Sequence, residues 1–455
     1  MTRLRGAAAL LAVLLGLAAC APASPTPSGS PAPSAPVGSP TTEPTVPGLG
    51  EVIPAPGSST DVYAPNPEAV VVAIDPGHGG CLDWGVPDPS RRGAAYSEKT
   101  MTLGIAREVE RLLSAQGVTV VMMRERDEAL AGDDYPDLGC TGPAWRDVDG
   151  DGQAGFEETG RVRTRDELQA RIDRANVARA DVMVSIHINS MTQNGVVFEI
   201  AATQTFYDDE TPWGVDGSGV LAGAIQADVV AALDPVAAYE RQDRGTQAVA
   251  YYAISRQWQD GDSCETPGDT WCKPHRALQM PSALAEVGSI TLRAEQDLLV
   301  SESGQTAAAE GVYRGVIDYL ADRSQAVRYD VPDAVDPPPS PDGPLEQARI
   351  LPVGDVELVL TNRGMDDWPA DLELVAGWEA SELPYLPLAP NRLDALAVDV
   401  PSLGPGESVR LVVSLPVPDV AGRQVAWITL RGPAGSYADL GSPALQLASM
   451  ERSSG

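Results

Sequence analysis

Three short runs of aliphatic, mostly β-branched residues recur in the first half of the chain. They are VVVAI (Val70–Ile74), VTVVMM (Val118–Met123) and VMVSI (Val182–Ile186). Continuous apolar runs of this length suit strands buried on both faces of a largely parallel sheet. The segments between them have a helical period instead. In Thr100–Gln116, Leu103, Ala106, Val109, Leu112 and Leu113 fall on one face, and Gly117 stands where a helix C-cap is expected. Arg165–Arg179, Gly217–Leu233 and Gln305–Leu320 are further predicted helices, and Ala283–Val287 is a further strand. Strand and helix alternate, which predicts an α/β domain over residues 68–325. Its sheet is open and mostly parallel with helices on both faces, and ligands belong at the C-terminal strand ends. After Pro344 the pattern changes to period two. DVELVLTNRG, ADLELVAGW, ESVRLVVSLPVP and RQVAWITLRGP alternate between turn residues, which predicts an antiparallel β-sandwich over residues 344–450.

Two breaks in composition frame the α/β block. Residues 21–67 are Pro-, Ser- and Thr-rich with almost no aliphatic pattern, and cannot bury enough apolar area to offset the entropy of ordering. A disordered tether is expected there. A Pro-rich linker is expected over residues 326–343, around VPDAVDPPPSPDG. Ahead of the tether, Arg3 and Arg5 precede an apolar run from Ala7 to Ala19 that ends in LAAC. This is the layout of a secretory signal peptide over residues 1–20. It resembles a bacterial lipobox, which implies cleavage before Cys20 and a lipid on its sulfur. The chain is then an exported lipoprotein held to a membrane and facing outward. In the plainer reading the signal is an ordinary secretory one and Cys20 is incidental.

A net charge of −32 over 455 residues argues against a nucleic-acid partner, because phosphates would be repelled. Four cysteines remain after Cys20: Cys81, Cys140, Cys264 and Cys272. An exported chain can keep disulfides, and four cysteines admit three pairings. The expected ones are Cys81–Cys140 and the local Cys264–Cys272. A four-thiolate zinc site competes, but no C-x2-C pair is present.

The chemistry-bearing residues collect at predicted strand ends. His78 follows the first strand in IDPGHGGC, and His187 ends the third in SIHIN. Glu286 ends ALAEV, and Glu98 opens a helix in YSEKTM. Adjacent parallel strands would bring these ends to one edge. Two histidines and a carboxylate around an open position compose a catalytic zinc site, with a further carboxylate to act on water. His275, the third histidine of the chain, has a structural or rim role.

VVVAIDPGHGG, SEKTMTLGIAREVERLLSAQGVTVVMMR, RIDRANVARADVMVSIHIN and MPSALAEVGSIT follow in order. Together they resemble the zinc-dependent N-acetylmuramoyl-L-alanine amidases of the family-3 type, over about Ala69 to Leu320. The resemblance implies that His78, Glu98 and His187 bind zinc and that Glu286 is the general base. It implies hydrolysis of the amide between N-acetylmuramic acid and L-alanine in peptidoglycan, for wall remodelling or daughter-cell separation. A non-catalytic wall-binding or regulatory lipoprotein that keeps the fold is the alternative. Three departures stand out. The spacing from His78 to Glu98 is long and holds Cys81, Ser289 replaces the usual Phe of the last motif with no Asn after it, and an insert occupies about 127–164.

That insert contains DVDGDGQAGFEE, Asp147–Glu158. Its spacing is that of an EF-hand calcium loop, with Asp147, Asp149 and Asp151, the Gln153 carbonyl and Glu158 as ligands and Gly152 at the turn. An acidic surface loop without a metal is the plainer reading. The sandwich resembles Ig-like domains through NRGMDDWPADLEL and LGPGESVRLVVSL, and offers binding or spacing with no evident partner.

Overall fold

The computed structural model describes residues 49–50, 52–53, 70–80, 83–87, 91–131, 146–149, 164–256, 276–334, 349–351, 355–380 and 392–449. Cys20, Cys81, Cys140, Cys264, Cys272, His275, Asp151, Gln153 and Glu158 lie outside these residues, so the expected lipidation, disulfides and distal calcium ligands do too.

The first domain is built on six strands: β1 (Val71–Pro76), β2 (Thr119–Met122), β3 (Val182–Asn189), β4 (Ala202–Tyr207), β5 (Gln242–Ala248) and β6 (Ser282–Ser289). They lie in the order β2-β1-β3-β6-β4-β5. The pairs β1–β2, β1–β3, β3–β6 and β4–β5 are parallel, while β4 runs antiparallel to β6. The runs in β1 and β3 are buried strands because successive side chains enter different cores, whereas β2, expected to be buried as well, is a partly exposed edge strand with a neighbour on one side only. Val72, Ile74, Val182, Val184 and Ile186 face α1 (Glu98–Ala115), α3 (Val220–Leu233), α4 (Arg293–Val300) and α5 (Glu302–Asp322). Val71, Ala73 and Met183 face α2 (Arg165–Val177) on the other side.

Residues Gly214–Val236 are apolar and long enough to cross a membrane, a length the sequence pattern does not suggest. Within this stretch Leu221, Ala222, Ile225, Val229 and Leu233 of α3 are fully buried core residues.

The second domain holds β7 (Val327–Asp330), β8 (Val356–Asn362), β9 (Glu373–Ala380), β10 (Ser408–Val413), β11 (Gln424–Gly432) and β12 (Leu445–Ala448). β7, β8 and β10 form one antiparallel sheet, and β9, β11 and β12 belong to another. Leu358, Leu360 and Leu411 from the first share one core with Leu374, Ile428 and Leu447 from the second, around the buried Trp368. Two expected boundaries shift. β7 lies inside the expected 326–343 linker, where it pairs with β8, and Tyr329 is buried with its hydroxyl accepting the backbone N–H of Leu430 at 2.8 Å. Val52–Ile53, inside the expected tether, pairs with Ser408 and Val409 at the sheet edge.

Candidate metal centre and active site

β1 ends at Pro76 and the chain turns at once. His78 (φ 63°) and Gly80 (φ 62°) both adopt left-handed backbone, which only the flanking small residues let the turn tolerate. The carbonyls released by the turn are taken up by buried arginines. Arg124 donates from Nε to the Pro76 carbonyl at 3.0 Å and from a terminal nitrogen to Gly77 at 3.1 Å. Arg171, on α2, donates to the carbonyls of Pro76 (3.0 Å) and His78 (2.6 Å) and pairs with Asp75. Asp75 is buried, which alone would raise its pKa, but Arg171 and Ser185 hold the carboxyl below its usual range.

The turn aims His78 across the ends of β1 and β3. Its Nδ1 lies 2.7 Å from Oδ1 of Asp83, which as a carboxylate accepts the ring proton there. This leaves Nε2 facing the cluster, 3.1 Å from Oε1 of Glu98 and 3.1 Å from Nδ1 of His187. His187 Nδ1 is 3.3 Å from the same Glu98 oxygen. A carboxylate oriented by backbone donors on both sides anchors this meeting point. Oε1 of Glu98 accepts from the N–H of Ile188 at 3.0 Å, and Oε2 from that of Val86 at 2.8 Å. His78, Glu98 and His187 thus offer ligand atoms within 4.8 Å of one another. The longer spacing from His78 to Glu98 does not displace Glu98, because the loop between them folds back to place Val86 against its side chain.

Burial works to lower the pKa of His78, yet the neighbouring Glu98 and Asp83 carboxylates push it up to about 10. Burial likewise opposes ionisation of Glu98, and the two histidines hold it well below the usual range. The cluster therefore favours a positive charge at its centre. Two imidazoles and a carboxylate, oriented through the Asp83 contact, match the donor set and support of a zinc site.

Glu286 comes from the neighbouring strand, directly in register with His187. Its Oε2 is buried and has no hydrogen-bond partner. Burial, then the charge of Glu98, raises its pKa well above the ordinary range. Gln204 of β4 flanks Glu286 on the other side. It also lines a groove of about 450 Å³ with Asn189, Met191, Phe198 and Arg244. All four residues expected in the centre are thus brought to one end of the sheet. Asp83, Arg124 and Arg171 were not legible as site residues; isolated Asp and Arg residues carry no spacing signal.

Residues 72–318 match the family described as N-acetylmuramoyl-L-alanine amidase, and the chain belongs to that family. A germination-specific N-acetylmuramoyl-L-alanine amidase of Bacillus subtilis (strain 168) is 23% identical over 253 residues, covering 56% of this chain and 81% of that protein. The uncharacterized protein YqiI of the same organism is 26% identical, covering 55% and 85%. The amidase LytC, also from that organism, is 26% identical, covering 54% of this chain and 35% of LytC. Among solved structures, the N-acetylmuramoyl-L-alanine amidase of Clostridium difficile 630 is 25% identical with a TM-score of 0.37, covering 56% and 98%.

Proposed function

We propose that this chain is an exported, lipid-anchored, zinc-dependent hydrolase of the amide between N-acetylmuramic acid and L-alanine in peptidoglycan. The convergence of His78, Glu98 and His187 on one point, beside the unpartnered oxygen of Glu286, carries the reading. Zinc bound by those three residues supplies a Lewis acid that polarises the amide carbonyl and makes water a stronger nucleophile at neutral pH. Glu286 takes the proton of the attacking water and returns it to the departing amine of L-alanine. Burial and the charge of Glu98 raise the pKa of Glu286, so a cation held at the cluster would favour its carboxylate form. Asp83 and Arg171 act on the position of His78, one through the ring and one through the backbone. The groove along Asn189, Phe198 and Arg244 offers apolar contact and a cation to an anionic stem peptide.

The acidic loop beginning at Asp147 is in this reading a calcium loop, and the lipid on Cys20 holds the enzyme beside its substrate. Against the non-catalytic alternative stands the meeting of His78, Glu98 and His187 beside Glu286 at one end of the sheet.

Purified protein acting on intact sacculi should create new L-alanine amino termini, seen by product mass analysis. Chelation should abolish them, and Glu286→Gln, which keeps the side chain's shape, should slow their release by about 10²–10⁴-fold. Glu286→Gln at the wild-type rate would remove Glu286 from the mechanism. A folded, zinc-loaded wild type that releases none would favour the non-catalytic alternative.

A further inference from the structure

A second group of carboxylates meets where the insert rejoins the first domain, away from the histidines. Asp147 and Asp149 belong to the insert, and Asp166 lies in the first turn of α2. One oxygen from each stands within 4.8 Å of the others. Asp149 and Asp166 are 1% and 0% exposed. Oδ1 of Asp166 accepts the backbone N–H groups of Val148 (2.7 Å) and Asp149 (2.9 Å). Those two bonds lock the carboxylate against the loop backbone. Its other oxygen, Oδ2, is buried and has no hydrogen-bond partner. Arg165 is near, with Nε 3.6 Å from Oδ2 of Asp149. A buried carboxylate oxygen without a partner is costly, and so are like charges brought together away from water. A cation relieves both.

We propose that Asp166 is a ligand of a divalent cation bound jointly with Asp147 and Asp149, and that the ion joins the acidic loop to α2. The donors are all oxygens, which selects a hard ion, calcium foremost. The proposal rests on the calcium reading of the loop only for Asp147 and Asp149, and on no step of the hydrolysis. Asp166 lies 17 and 19 positions after Asp149 and Asp147 and fills no place of the EF-hand pattern, so loop spacing alone does not point to it; the fold brings it in. Past Asp166, Glu167 accepts from the N–H groups of Leu130 (2.9 Å) and Ala131 (3.0 Å). One turn further, Arg171 donates to the His78 carbonyl. The ion thus pins one end of the helix that braces the catalytic turn.

The test is calorimetric titration of calcium, up to about 1 mM, the upper end for extracellular calcium modules. It uses metal-stripped protein with and without prior zinc loading, and melting temperature is followed in parallel. The wild type should bind calcium in both states and melt higher with it. Asp166→Asn keeps an oxygen for the Val148 and Asp149 N–H groups and should bind at least about tenfold more weakly. In chelator it should melt no lower than the wild type. Wild-type affinity in Asp166→Asn would overturn the role of Asp166 while leaving the loop reading intact. No binding by the wild type would overturn both, without touching the amidase reading. If Asp166→Asn does not fold, Asp147→Asn carries the test, and wild-type affinity there overturns the shared site.

Discussion

A Cβ on Gly77 would stand 2.5–2.8 Å from three atoms of the His187 ring. The glycine before His78 is therefore needed for space at the neighbouring ligand, whatever its backbone requires. Gly77→Ala should fold, yet lose zinc stoichiometry measured by elemental analysis and at least about tenfold of its zinc affinity. Retention of full zinc by that variant would contradict the packing described. At this scale the histidines, Glu98 and Glu286 were legible because few residue types bind metals and these fall at strand ends. Asp83 was not, since its role depends on meeting Nδ1 of His78 across a turn. Nothing in the sequence singles out Arg124 and Arg171, yet both are buried against the carbonyls that the turn exposes. Asp166 was hidden in the same way, lying on a helix away from the loop motif.

Between elements, α3 and α5 approach each other closely at two glycines. A Cβ on Gly315 would lie 2.5 Å from Cα of Ile225, and one on Gly311 2.5 Å from Cα of Val229. Gly315→Ala improves helix propensity by about 1 kcal/mol. The clash is with backbone and no rotamer change relieves it, so overpacking of about 1–3 kcal/mol should win. Chemical denaturation should show a net loss, and a more stable variant would mean the helices separate without cost. α1, α2, α3 and α5 were legible from their period, with ends displaced by a turn or less, while the short α4 was not. β4 and β5 were not. ATQTFY and QDRGTQA carry few aliphatic residues, and β5 is an exposed edge. Their strand state comes from pairing, with β4 laid antiparallel on β6.

A buried carboxylate stands among the contacts between the two domains. Asp181, at the start of β3, accepts from the backbone N–H of Val71 at 2.8 Å and from Arg323 at 3.1 Å, and pairs with Arg363 of the sandwich. Burial lowers the pKa of Arg363 to about 10, and it still carries its charge at neutral pH. Arg363→Ala leaves Asp181 with one cation fewer and should cost about 3–5 kcal/mol. The expected readout is a lower melting temperature, or two separate transitions. Burial would raise the pKa of Asp181, but Arg363 and Arg323 hold it below the usual range. A depressed carboxylate pKa gives stability that is fully present above about 3.9, its ordinary value, and is lost as pH falls through the folded one. The wild type should therefore lose stability in acid more steeply than Arg363→Ala. Equal acid profiles would show that Asp181 does not couple the domains.

By itself the sequence determined the α/β class and the residue types from which the proposed site is drawn. Apolar period and rare residue types at strand ends are local properties, written in neighbouring positions. Only the tertiary structure decided which oxygen and nitrogen atoms meet. The proton of His78 goes to Asp83, Val86 and Ile188 orient Glu98, Asp166 turns toward the acidic loop, and Arg363 reaches Asp181 from 182 positions away. These contacts join residues with no shared period, and they are selected because a buried charge must find its partner wherever the fold places one.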